Sequence, residues 1–232
     1  MRDAGCDSNA PPVTAFPGEL LIWLAASFPV GGFAYSQGLE TAVGRDWVRD
    51  RETLAGWLAA VLEHGALRND LVLVSLIMRA PDREAVVALA ELAVMLQPSA
   101  ERHGETVGQG LGFVQAFEAA WCDDGASPFA DLSSVTLPVA LAVAARRHGI
   151  RAGATLEGYA IANLNNLISA AIRLGVVGQF DGQRVMARLL PRLRTICEHA
   201  MTATEDDLGS ATYGADLASM LHETQTTRLF RS

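Results

Sequence analysis

The chain has 232 residues, 50% of them hydrophobic and 19% charged, with a formal net charge of −8. That size and apolar content suit one compact domain, and the acidic balance argues against nonspecific nucleic-acid binding, which needs a basic footprint. All 18 basic residues are arginine, so a P-loop, which needs its lysine, and a Schiff-base enzyme are both disfavoured.

Residues 1–18 are rich in Pro and small side chains and are expected to be disordered. Glu19–Phe28 is apolar on all sides, which predicts a buried helix ended by Pro29. Ser27–Glu40, SFPVGGFAYSQGLE, is the most unusual wording in the chain. Pro29 and Gly31-Gly32 supply a turn, aromatics follow it, and Ser36 is placed to cap a helix to Arg45 with Glu40 near its first turn. Asp50 is a cap for the next helix, where Leu54, Trp57, Leu58, Val61 and Leu62 recur on one face. Leu71–Met78 could be a buried strand by its apolar run, but without a partner strand it reads as helix. Pro81 opens another helix, with Asp82 and Glu84 in its first turn.

Ser99–Trp121 carries Ala100, Gly104, Gly108, Gly112, Ala116 and Ala120 at every fourth residue. Each interior Gly costs about 1 kcal/mol against Ala, so a close neighbouring helix is expected there. A nucleotide loop at residues 108–112 lacks the βαβ context it needs. Cys122–Val135 reads as a loop, and Thr136 as the cap of a helix to His148. Thr155–Leu174 is a long helix holding Asn163, Asn165 and Asn166, residues that want partners when buried. Asp181 is taken as the cap of a helix over Gln183–Met201, kinked by Pro191. Glu205–Tyr213 is expected to be mobile, and Asp216–Thr224 to be a last helix. The expected fold is therefore all-α: an ordered domain over residues 19–224 of about ten helices, followed by a mobile tail over 225–232.

Catalytic signals are weak. His64, His103, His148, His199 and His222 are scattered, Cys197 and His199 face different directions on a helix, and no metal site or cofactor is expected within one chain. Serines lack a nucleophile elbow, and a Ser36–Glu40 acid–base pair has no histidine nearby in sequence. Asp123-Asp124 and Glu205-Asp206-Asp207 read as solvated loops. Cys6, Cys122 and Cys197 are odd in number and unpaired in spacing, which fits a reducing, cytoplasmic compartment. Leu20–Ala26 follows Asp3, Asp7 and Glu19 against a single Arg2, the wrong charge sign for a signal peptide, and no apolar run approaches the roughly 20 residues of a membrane span. The tail places Leu229 and Phe230 between Arg228 and Arg231; the apolar pair suits a partner groove equally with tucking back onto its own domain.

Three segments together, PVGGFAYSQGLE, LISAAIRLGVVGQFDGQ from Leu167 to Gln183, and the terminal HETQTTRLFRS, resemble the urease accessory protein UreF family. The chain departs from it at Gly175–Gln179, where members commonly carry a proline in the turn. The resemblance implies an all-α, homodimeric scaffold rather than an enzyme. It would bridge the accessory protein UreD (UreH) and the GTPase UreG, so that nickel reaches apo-urease, whose active-site lysine is carbamylated. It carries Tyr35, Gln37 and Glu40 onto the GTPase-recruiting face and Arg228 onto the UreD interface. An alternative is that the chain regulates the GTPase by supplying an arginine in trans, with Arg228 and Arg231 as candidates and Arg173 disfavoured by its place at a helix C-terminus. Tyr159, on the Thr155–Leu174 helix, is the expected dimer-interface residue.

Overall fold

The computed structural model describes residues 16–122 and 125–231. The expectation for the N-terminal segment lies almost wholly outside them, as do Asp123, Asp124 and Ser232. Within them the chain forms ten α-helices and no strand. These are α1 (Gly18–Trp23), α2 (Leu39–Gly44), α3 (Arg51–His64), α4 (Ala66–Arg79), α5 (Arg83–Met95), α6 (Ala100–Trp121), α7 (Leu137–Arg147), α8 (Ala152–Arg173), α9 (Gln179–Ala200) and α10 (Tyr213–His222). Short 3-10 turns sit at Gly32–Ala34 and Glu205–Asp207.

Side-chain caps set three of the helix starts, while Thr136 precedes α7 without a side-chain cap bond. Asp50 and Thr53 form a reciprocal capping box on α3, and Asp82 and Ser99 accept from the third residue of α5 and α6. Each such cap satisfies an orphan N–H and is worth about 1 kcal/mol. The central pair is α4 and α8. They pack on each other and between them contact α1, α2, α3, α5, α7 and α9. Residues 71–78 are helical, as the lack of a partner strand suggested. In α7, Pro138–Ala145 is buried throughout, which an Ala/Val/Leu-rich helix sandwiched on all sides requires.

One aromatic cluster lies between α1 and α6. Trp23 meets Phe113, Phe117 and Trp121 edge-on at 6.1, 5.5 and 5.4 Å between ring centroids, and Phe28 joins through Phe113. This anchors α1, but not as an all-buried helix. Only Leu20 and Trp23 are buried, while Leu21 and Ile22 are exposed and the helix ends at Trp23, short of Phe28. Six residues give less than two turns, too few for every face to find a neighbour.

The glycine stripe of α6 has a different partner from the one its spacing suggested. A β-carbon on Gly112 would sit 2.9 Å from the Pro29 carbonyl oxygen, and one on Gly108 would lie 3.6 Å from the Tyr35 hydroxyl. The stripe therefore receives the 27–40 loop, not a helix, and Gly104 faces open space. The tightest approach is at Gly110, outside the stripe, where a β-carbon would collide with the Val135 carbonyl oxygen in the segment leading into α7.

Helices α8 and α10 each start three residues earlier than expected, and two expected caps are displaced. Gly38, at φ +79°, is the N-cap of α2, although Ser36 Oγ still accepts the Glu40 N–H at 3.3 Å. Gly178 precedes α9, with Asp181 inside its first turn. There Asp181 pairs with Arg51 of α3 and Arg184, and Glu52–Arg188 and Glu63–Arg192 continue this ladder between α3 and α9. The α9 helix runs through Pro191. The 205–213 segment, expected to be mobile, is tied down: Asn69 Oδ1 accepts the Gly209 N–H at 3.0 Å, and His64 O accepts that of Ala211 at 2.9 Å.

Candidate docking site at the loop and tail

The three segments singled out in the sequence meet in space. The 29–40 loop supplies Phe33, Ala34 and Glu40, the end of α8 supplies Arg173, and the C-terminal segment supplies His222 and Arg228–Arg231. Arg173 lies between two rings, its guanidinium carbon 4.9 Å from the Phe33 centroid and 4.2 Å from that of Phe230, and it donates to the Phe33 carbonyl. Arg173 is exposed, so such stacking gains about 0.5–1 kcal/mol for each ring.

Glu40 is the hub. The residue is 8% exposed. It accepts the Leu229 N–H at 2.7 Å, the Phe230 N–H at 3.0 Å and His222 Nε2 at 3.0 Å. The opposite ring nitrogen, Nδ1, meets Glu101 of α6 at 2.7 Å. Arg228 bonds the other oxygen of Glu101 at 2.7 Å, and donates to the carbonyls of Gln225 and Glu223. The Arg231 N–H reaches Ala34 O at 2.7 Å, and Thr41 donates to the Gln225 side chain at 3.1 Å. The tail is thus fastened along its length. Phe230 tucks back and is buried, whereas Leu229 and Arg231 remain exposed.

The expected site residues divide accordingly. Glu40 faces its own tail and is covered by it. Tyr35 is half-buried above Gly108, its carbonyl accepting from Asn166 at 3.5 Å. Gln37 adopts φ 56°, uncommon for a residue with a side chain, and its Nε2 donates inward to Glu105 at 3.2 Å. Arg173 and His222 were missed. The signal for His222 was present, because Ala215, Ala218, Ser219 and His222 recur at i, i+3, i+4 and i+7, the pattern of a buried helix face. Arg173 was read only as a dipole partner, although it sits in one of the three distinctive segments.

Behind the loop is a buried polar cluster. Arg102 pairs with Glu105, whose Oε1 also accepts from Gln109 at 3.1 Å. Tyr159 donates to Asp70 at 2.8 Å. Tyr159, expected at a subunit interface, is 4% exposed and lies in the interior of its own chain; its hydroxyl is committed there. Burial pushes the Asp70 carboxyl up to about 6, against the pull of Arg102. The folded chain therefore binds a proton at Asp70 that the unfolded chain, near 3.8, does not. Stability from this group is gained as pH falls from about 6 toward 4, the reverse of the usual carboxylate. Asp70→Asn, which keeps an acceptor for Tyr159, is expected to raise stability at pH 7.5 by about 1–3 kcal/mol. The gain should shrink to near zero at pH 4, read as urea midpoints at the two pH values.

Beside the loop, a pocket of about 390 Å³ opens between α1, the loop and α8, lined in part by Trp23, Leu24, Phe33, Phe113, Asn163 and Asn166. Burial, then Glu157 and Glu198, pushes the Cys197 thiol up to about 12, so it is a poor thiolate. Among the described residues no cluster of three or more His, Cys, Asp or Glu is arranged to hold a metal ion, and no helix is long and apolar enough to cross a membrane.

The fold and this surface define an all-α protein that closes its own C-terminal segment over a glycine-rich loop. The UreF family model matches residues 48–190. The urease accessory protein UreF of Xanthobacter autotrophicus is 46% identical over 234 residues, covering 99% of this chain and 95% of that protein. That of Methylobacterium radiotolerans is 46% identical over 228 residues, covering 96% and 100%, and one from Rhodopseudomonas palustris is 46% identical over 219 residues, covering 92% and 90%. The chain belongs to the UreF family of urease accessory proteins.

Proposed function

We propose that the chain is a cytoplasmic scaffold for urease maturation, bridging UreD and the GTPase UreG so that nickel, as cargo of the assembly, reaches apo-urease. The observation that carries this reading is the convergence of the loop, the end of α8 and the tail on one surface, in a member of the UreF family. Leu229 and Arg231 offer an apolar side chain and a cation at its edge, the residue types that anchor interfaces. Tyr35 and Gln37 set the loop's shape from beneath. Binding follows from positioning, with no covalent step and no resident cofactor assigned to this chain.

A homodimer fits the same reading. Its contact is better sought at the exposed Leu21 and Ile22 of α1, beside the pocket rim at Phe33, than at the interior Tyr159. The alternative, an arginine given in trans to the GTPase, falls to Arg231, which is exposed, because Arg228 already makes three intrachain contacts. Pull-downs from cells co-expressing UreD, UreG and urease test the scaffold. UreG turnover with Arg231→Ala separates the two readings: lost turnover with intact binding favours the arginine in trans.

A further inference from the structure

His222 is fully buried, and each of its ring nitrogens lies within hydrogen-bond distance of a different carboxylate, Glu40 at 3.0 Å and Glu101 at 2.7 Å. A carboxylate only accepts, and a neutral imidazole has one donor and one acceptor nitrogen. A neutral ring would therefore turn a lone pair against one of the two carboxylates. With both nitrogens protonated, every contact is donor to acceptor.

The charge balance points the same way. Helix α10 packs on α2 and α6. The charged groups that meet His222 are Glu40 from α2 and Glu101 from α6. Arg228 from the tail bonds Glu101, and Glu223, next to His222 on α10, is turned to the Ala100 N–H at the start of α6. Among the described residues the two largely enclosed carboxylates of Glu40 and Glu101 face Arg228 as their one bonded cation, and the negative charge left uncompensated is costly at this depth. One further proton closes the balance.

We propose that His222 is a positioning residue held as an imidazolium, a proton-dependent clasp that keeps Glu40 oriented toward the Leu229 and Phe230 amides and so fastens the tail. The docked tail then retains one proton that the released tail gives up. Raising the pH favours release, and the docking equilibrium falls by up to about tenfold per pH unit while that single proton is lost. At lower pH the clasp holds. A second consequence separates charge from shape: Glu101→Gln can donate its amide to Nδ1 and still accept from Arg228, so a neutral ring satisfies both neighbours. The tail of that variant should stay docked, with its pH dependence removed.

The test is made on the full chain alone, so either result is independent of whether UreD binds. Ring-nitrogen NMR of 15N-histidine-labelled protein should show His222 doubly protonated at pH 7. Amide-exchange protection at Leu229 and Phe230, corrected for intrinsic rates, should fall as pH rises from 6.5 to 9 in the wild type. It should stay level in Glu101→Gln, and be lost at all pH values in His222→Phe. A singly protonated ring with the tail docked at pH 7 overturns the proposal. So does wild-type protection that is flat with pH, or a Glu101→Gln variant that keeps the wild-type slope.

Discussion

Replacing Arg102 by alanine is expected to cost about 3–5 kcal/mol of folding stability, the usual penalty for stripping one partner from a buried ion pair. Arg102 and Glu105 are both almost wholly enclosed. Glu105 holds Gln37 and Gln109 through its other oxygen. Without the guanidinium, Glu105 and Asp70 remain as two buried carboxylates that have lost the cation facing both. The Glu105 hydrogen bonds from Gln37 and Gln109 soften the loss but do not neutralise the charge. Removing both charges, in Arg102→Met with Glu105→Gln, should recover about half the loss or more, because the unpaired charge and not the missing contact dominates. The defect in the single variant should also lessen toward pH 5, as Asp70, already pushed up to about 6, takes up its proton. Denaturation midpoints of the three proteins at pH 5 and 7.5 check both statements. A cost below about 1 kcal/mol would place Arg102 among ordinary exposed pairs, against its burial.

Glu40→Ala is expected to free the tail. One carboxylate makes three contacts, two with tail amides and one with His222, and hydrogen bonds to charged groups contribute about 1.5–3 kcal/mol each. The loss also strands His222 next to Glu101, and Phe230 is left to its stacking on Arg173. Protection of the Leu229 and Phe230 amides should fall by about 100-fold or more, corresponding to roughly 3 kcal/mol of local stability. The global midpoint should move less, because the α4–α8 core does not depend on the tail. Arg173→Ala should loosen the same segment more mildly, since it removes stacking and leaves the Glu40 contacts.

Much of the fold was legible because it rests on local chemistry. The cap at Asp50 and the apolar periodicity of α3 are short-range signals, and each appears where it was read. What the sequence misplaced depends on tertiary neighbours. The short α1 reads as buried because its residues are apolar, yet burial depends on what lies opposite, and among the described residues Leu21 and Ile22 stay exposed. The glycines of α6 signal a close approach, but spacing does not say whether a helix or a loop approaches. It proved to be the loop at Gly108 and Gly112. The 205–213 segment looked mobile by composition, and is held by the Asn69 side chain and the His64 carbonyl, from residues well over a hundred positions away in the chain.

The site was legible as a set of unusual segments and not as a geometry. Glu40 was singled out by its motif, and its function as the anchor of the tail amides follows only from the distance of 2.7 Å to Leu229. The even choice for the tail resolves by residue: Phe230 packs on the body while Leu229 stays exposed. Tyr159 stood on the long helix thought to dimerise, but the face of that helix toward α4 carries it into contact with Asp70. Helical spacing alone cannot distinguish a face that meets another helix of the same chain from one that meets a second subunit.

The central claim is that the loop and the fastened tail together form the surface that recruits UreD. Co-purification from cells expressing UreD, UreG and urease tests it most directly, with the full chain compared against a chain lacking residues 225–232 and against Glu40→Ala, each checked for native helix content. The account predicts that the full chain carries UreD and UreG with it and that both altered chains lose UreD while remaining folded. Retention of UreD by the folded, tail-deleted chain would contradict it.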